Sequence, residues 1–218
     1  MRETRTGHTA TLLAGGRVLI VRGNFNSSAE LYDPRSGLFE AAGSTHTNFL
    51  GDHTATLLPD GRVLIAGGTT INEYCGETHA EICDPAWGNF TVTGGLATGR
   101  TRHRAAALPD GRVLITGGAS AFDAAGDRQC RTSRTFASTA IYDPRTGIFT
   151  AGPEMTTPRF WHTAILLTDG RVLVVGGQQV FECAARRWRE FCQPFHCRAV
   201  GLRGSPLGRI AAADAGAA

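Results

Sequence analysis

Residues 60–68 read DGRVLIAGG, and the phrase returns as DGRVLITGG at 110–118, as DGRVLVVGG at 169–177 and, altered, as GGRVLIVRG at 15–23. Aligned on its arginine, it falls at Arg17, Arg62, Arg112 and Arg171, with spacings of 45, 50 and 59 residues. A period near fifty constrains the fold more than any other feature, because each copy must be one supersecondary unit that buries its apolar face against its neighbours. An apolar segment precedes each phrase, starting at His8, His53, His103 or His162 (HTATLL, HTATLL, HRAAAL, HTAILL). Between the two apolar runs stands AGG, PDG, PDG or TDG. Asp-Gly at such a place predicts a tight hairpin, since its Gly accepts positive φ.

Third segments follow as AELYDP at 29–34, AEICDP at 80–85 and TAIYDP at 139–144. Proline cannot donate to a ladder, so each strand stops there. A turn carrying Gly37, Gly88 or Gly147 then leads to Phe39, Phe90 or Phe149, the start of a fourth strand. In the last copy the loop shrinks to Gln178 and Gln179, and VFECAARRWREF compresses strands three and four, with Trp188 in the aromatic place. No stretch sustains a helical period, so the prediction is all-β: four-stranded antiparallel meanders over about 5–42, 50–93, 100–152 and 159–191. A twisted four-stranded sheet repeated along a chain buries both faces only against its neighbours, which defines the blades of a propeller. Residues 192–218 read as an irregular, disordered tail, and from Arg198 onward the Arg-, Gly- and Ala-rich composition reads as a foreign or frameshifted end.

The glycine pair closing an apolar strand, the Tyr-Asp-Pro strand and the aromatic six residues after its Asp together resemble the kelch repeat. HTATLLPDGRVLIAGG is most similar to the kelch-type propellers of bacteria and of the central domain of galactose oxidase. The resemblance covers residues 5–191 and implies a kelch-type β-propeller of four blades, either closed as four or part of a larger ring. Several positions depart from the pattern. Arg22-Gly23 replaces the first glycine pair, the third copy lacks the Glu found at Glu30 and Glu81, Cys83 and Cys183 replace the Tyr, and the fourth copy has no Asp-Pro. A four-blade arc would leave apolar faces at both ends, so the expectation includes tight closure, self-association or further blades.

Chain direction alternates along a meander, so the loops between strands two and three share one face with the crossings between units. Those loops differ most between copies, and variable loops on a rigid frame are where recognition concentrates. The resemblance implies a binding surface on that same face. The candidate residues are Asn24 and Asn26 in the first loop, and Asn72, Glu73, Tyr74, Glu77 and His79 in the second. The third loop adds Asp123, Asp127, Arg128, Arg131 and Arg134, and the crossings near His46 add Arg100 and Arg159. The alternative is that these loops are tolerated surface insertions.

Four other clusters invite chemistry. The recurrent histidines could ligate a metal, but a residue present in every copy is better explained as a structural anchor for its strand. NEYCGETH at 72–79 gathers ligand types on one flexible loop with no second cluster to complete a site. Cys75 and Cys130 lie on corresponding loops, and a disulfide between them would imply an oxidising compartment; Cys83 and Cys183 read as small buried residues. Cys183, Cys192, His196 and Cys197 match no zinc spacing. A nucleotide reading of VLIAGG fails because a strand follows, where phosphate binding needs a helix N-terminus.

Charge narrows the function classes further. The formal charge is +3; before Gln178 there are 16 Arg and 16 acids, against 6 Arg and 3 acids in the last 41 residues. Nucleic-acid binding needs a clustered basic face, which such a body does not supply. No apolar run approaches the roughly 20 residues of a membrane helix. The N-terminus lacks the apolar region of a signal peptide, which leaves the compartment open; a secreted or cell-surface location would follow from a leader further upstream. The expectation is a non-catalytic kelch-repeat scaffold, without cofactor, that binds a protein or glycan. The second reading is a fragment of a secreted, galactose-oxidase-like copper-radical oxidase, whose chemistry, by resemblance, needs Tyr and His ligands and a Tyr cross-linked to Cys.

Overall fold

The computed structural model describes residues 1–23, 27–47, 49–70, 76–120 and 134–179. Among these there is no helix. The first unit contains β1 (Thr9–Leu12), β2 (Val18–Val21), β3 (Ser28–Asp33) and β4 (Leu38–Ser44), hydrogen-bonded in that order. A short β5 (Phe49–Gly51) leads into the second unit, formed by β6 (Thr54–Leu57), β7 (Val63–Ala66), β9 (Ala80–Asp84) and β10 (Asn89–Val92). Between β7 and β9, β8 (Thr69–Thr70) pairs with β5. The third unit is β11 (Arg104–Ala107), β12 (Val113–Thr116), β13 (Thr139–Asp143) and β14 (Ile148–Ala151). The fourth begins with β15 (Thr163–Leu166) and β16 (Val172–Val175). Its expected third and fourth strands, at 180–191, lie outside the described residues. All pairings are antiparallel, so the chain is a series of propeller-like blades.

The turns form as their sequences dictate. In the second blade the Leu58 amide donates to the Arg62 carbonyl at 2.8 Å, Gly61 takes φ +86°, and Asp60 caps the Arg62 amide while accepting its Nε at 2.8 Å. The Asp110–Arg112 and Asp169–Arg171 pairs repeat this arrangement. At the other turn of each complete blade the amide of Gly37, Gly88 or Gly147 donates to the carbonyl of Asp33, Asp84 or Asp143. That register places Phe39 opposite Tyr32, Phe90 opposite Cys83 and Phe149 opposite Tyr142. Cys83 is fully buried, and burial pushes its thiol up to about 12.

Three apolar clusters hold successive blades together. Leu19 and Val21 of the first blade pack on Val63 and Ile65 of the second, with Ala55 and Leu57 at the edge. Leu64 and Ala66 pack on Val113 and Ile115, and Leu114 on Val172 and Val174. Because side chains alternate across a strand, β7 turns Val63 and Ile65 to the blade before it and Leu64 and Ala66 to the blade after.

Candidate functional site

The first strands β1, β6, β11 and β15 neighbour one another from blade to blade, and the segment entering each carries a fixed set of roles. Three residues before the histidine stands Arg5, Leu50, Arg100 or Arg159. Arg100 is 3 % exposed; its Nη1 donates to the carbonyls of Gly117 and Ser138 at 2.8 and 3.0 Å, and its plane lies 5.3 Å from the Phe136 ring. Arg5 makes the same bonds to Arg22 and Ser28, and the buried Arg159 donates to the Gly176 carbonyl. These arginines tie the incoming segment to its own blade. Arg100 and Arg159, expected as recognition residues of the crossings, face inward.

The histidines serve the joint between blades. His53 Nε2 meets Thr9 Oγ1 of the preceding blade at 3.1 Å, and His103 Nε2 meets Thr54 Oγ1 at 3.0 Å. In the third blade Arg104 occupies the threonine position. Thr116, its cross-strand partner, supplies the hydroxyl to His162 Nε2 at 2.7 Å instead. The anchor is therefore a hydroxyl of the neighbouring blade. Burial pushes the His53 and His162 imidazoles down to about 3, helped by nearby arginines, and holds His103 well below its ordinary value. The glycine pair follows from this packing. A Cβ on Gly67 would lie 2.6 Å from His103 Cε1, and one on Gly68 would lie 2.7 Å from the Gly51 carbonyl oxygen.

Arg22, at the place of the first glycine, keeps its backbone at φ +60° and is 1 % exposed. Its guanidinium crosses to the second blade and pairs with Glu81 at 3.0 Å, in the blade that carries Leu50 instead of the internal arginine. Glu81 is fully buried and also accepts from His46 N and Nδ1, and meets His79 Nε2 at 3.0 Å. Burial alone would raise this carboxyl, yet the His46 amide and the Arg22 charge hold it below its ordinary value.

The residue immediately before each histidine is Gly7, Asp52, Arg102 or Trp161, and all four have left-handed backbones, with φ of +69°, +58°, +56° and +54°. Arg102 N donates to the Asp52 carbonyl at 3.2 Å, and Trp161 N to the Arg102 carbonyl at 3.0 Å, which threads three blades together. Arg102 Nε donates to the Asp52 carboxylate at 3.0 Å while its guanidinium lies 4.3 Å over the Trp161 ring. Trp161 remains 48 % exposed. A left-handed backbone costs roughly 1–2 kcal/mol for an L-residue, and three bulky or charged ones in a row mark a rim that packing over-determines. Sequence reasoning missed it because no residue type repeats; the signal was a position whose residue changes beside an invariant histidine.

Of the other expected residues, Glu77 is half-buried and joined through its backbone to Gly68 and Arg100. Arg134 is exposed, its amide on Ser120 Oγ. The Gly76 amide donates to the Ser120 carbonyl, stitching the second and third loops together on the rim's side of the blades. Asn24, Asn26, Asn72, Glu73, Tyr74, Asp123, Asp127, Arg128 and Arg131 lie outside the described residues. So do Cys75, Cys130, Cys183, Cys192, His196 and Cys197.

Among the described residues no three His, Cys, Asp or Glu side chains form a group able to hold a metal ion. Tyr32 and Tyr142 stack on Phe39 and Phe149, and the Tyr142 hydroxyl bonds Thr93 Oγ1 at 2.9 Å. These side chains do not fit a copper-ligand role, and the three threonine–histidine pairs have their imidazoles buried in the joints between blades. What the described part of the face offers is stacking and charge-assisted hydrogen bonding.

Fold and face together define an all-β, propeller-like chain with a strained rim beside variable loops. Its fold is similar to that of a solved structure described as a novel fungal alcohol oxidase with catalytic diversity among the AA5 family, in complex with copper. The TM-score is 0.55 at 16 % identity, covering 84 % of this chain and 51 % of that one, so the chain spans about half the length of the structure it matches. No protein-family model matches the chain, and neither does any curated protein.

Proposed function

We propose that the chain is a non-catalytic, kelch-type propeller scaffold that recognises a partner protein through the face bearing its strand 2–3 loops. In this reading residues 1–191 form the blades, 159–191 complete the fourth, and 192–218 are a tail. The observation that carries it is the rim: Trp161, half-exposed and held over Arg102, beside Asp52 and next to the stitched loops. Trp and Arg in a fixed geometry are the residue types that dominate binding energy at protein interfaces. In this reading Glu77, His79 and Arg134, with the candidates at 24, 26, 72–74, 123, 127, 128 and 131, would supply the adaptable contacts around that anchor.

Trp161→Gly removes the indole and relaxes its backbone, so it tests recognition without stressing the fold. With the intact chain as bait, a captured protein should bind at least about tenfold more weakly to Trp161→Gly, and to a variant with 119–138 replaced by a short turn. Retained binding by both variants would sink this reading. Binding only on a glycan array, lost in the same variants, would move the assignment to a glycan.

The likeness to a copper alcohol oxidase favours a second reading, a fragment of a galactose-oxidase-like copper-radical enzyme. It requires tight copper binding and peroxide release on adding an alcohol. Tyr32, Tyr142, His53, His103 and His162 are already engaged in packing, so neither is expected.

A further inference from the structure

We propose that a second copy of this chain docks head to tail, the trailing face of the fourth blade of one copy on the leading face of the first blade of the next. At the first internal junction, Leu19 and Val21 form the trailing pair. They meet a leading set of Val63 and Ile65, with Ala55 and Leu57 at the edge. The same register in the first blade reads Ala10, Leu12, Val18 and Ile20, the four residue types of that leading set in the same order. In the fourth blade the trailing register reads Leu173 and Val175, the types of Leu19 and Val21. A fourth-to-first junction would thus repeat these six positions of the first internal one, with Tyr32 in the place of Cys83 and the counterparts of Ala29, Leu31 and Ala42 outside the described residues.

Exposure follows this assignment. Leu12 is 66 % exposed, Ile165 51 % and Val175 37 %, whereas Val63, Ile65, Leu19 and Val21 are buried; Ile20 is the one leading residue already covered. A polar feature points the same way. Every internal junction has a histidine of the following blade on a threonine hydroxyl of the preceding one. His8 and Thr163, which occupy the equivalent positions at the two ends, are both exposed. Gly7, with the left-handed backbone shared by the other three rim residues, would extend the amide-to-carbonyl thread beyond Trp161. The two faces complement each other and not themselves, which makes the contact heterologous.

The test is sedimentation of the whole chain together with two single variants, Leu12→Lys on the leading face and Ile165→Glu on the trailing one. Wild type should sediment as two or more chains, and each variant alone as a monomer. Mixing the variants should give a species of two chains and no larger, because each retains the face the other has lost; this recovery also shows that both are folded. A monomeric wild type, as closure of each copy on itself would give, overturns the proposal. So does an isologous contact, in which the mixture stays monomeric, or a single variant that remains associated. None of these outcomes depends on a partner binding at the rim.

Discussion

Arg22 and Glu81 show how one substitution in a repeat is answered in another copy. In the first blade Arg5 points into its own sheet and lies 3.6 Å from Glu30; in the second, Leu50 stands in place of that arginine and Glu81 would be a buried carboxylate without a cation. Arg22 supplies the charge from the blade before. Replacing it with the glycine of the other copies relieves a left-handed backbone worth about 1 kcal/mol but strands a buried charge, which costs several. Arg22→Gly should therefore destabilise the fold by about 3 kcal/mol in urea unfolding, and adding Leu50→Arg should recover most of the loss. A neutral Arg22→Gly would mean that Glu81 is held by His46 and His79 alone. Glycines at two registers separate conformational freedom from space. Gly61→Ala, at φ +86° with nothing within 4 Å, should cost about 1 kcal/mol. Gly67→Ala meets the Arg100 carbonyl and the His103 ring and should cost about 3 kcal/mol or more. Equal losses in thermal unfolding would refute the steric account of the pair. The sequence shows that the pair recurs; the histidine that demands its first glycine belongs to the next unit and is invisible to local reading.

At the level of strands, everything determined within a few residues was legible. The Asp-Gly hairpins, the Asp-Pro stops and the Tyr-to-Phe register appear where their residues require them, since each depends on a local φ or a missing donor. The joints between strands of different blades were not legible: Thr9 and His53 are 44 residues apart, and Thr116 takes over where Arg104 has displaced the threonine. The rim was hidden for the opposite reason, because Gly, Asp, Arg and Trp share a left-handed conformation that only glycine advertises. The joints carry a pH dependence. His53 and His162 have folded values depressed to about 3, so the unfolded chain takes up protons that the folded chain refuses. Their contribution is fully present above about pH 6.5 and is lost as the pH falls toward 3, at about 1.4 kcal/mol per pH unit for each buried imidazole. Stability by urea unfolding should thus decline between pH 6.5 and 5, before most carboxylates titrate. With His103 as the third imidazole held well below its ordinary value, His162→Gln, whose amide can still meet Thr116, should reduce that slope by about one third. A slope unchanged in the variant would remove His162 from the set.

For the whole molecule, a series of blades that touch only their neighbours has stability close to a sum of blade and junction terms. The second and third blades have both faces covered by described strands, and their central strands Val63–Ala66 and Val113–Thr116 are buried throughout. The fourth has Val172 and Val174 packed on the third blade while Val175 and Ile165 face outward. Its opening breaks one junction, whereas opening the second or third blade breaks two. Amide exchange should therefore be slowest in Val63–Ala66 and Val113–Thr116 and faster in Val172–Val175. Head-to-tail docking adds a junction at that end, so protection of Val172–Val175 should rise with protein concentration in wild type and stay flat in Ile165→Glu. Central and terminal strands that exchange at one common rate, at every concentration, would show a single cooperative unit and refute the junction-by-junction account of this fold.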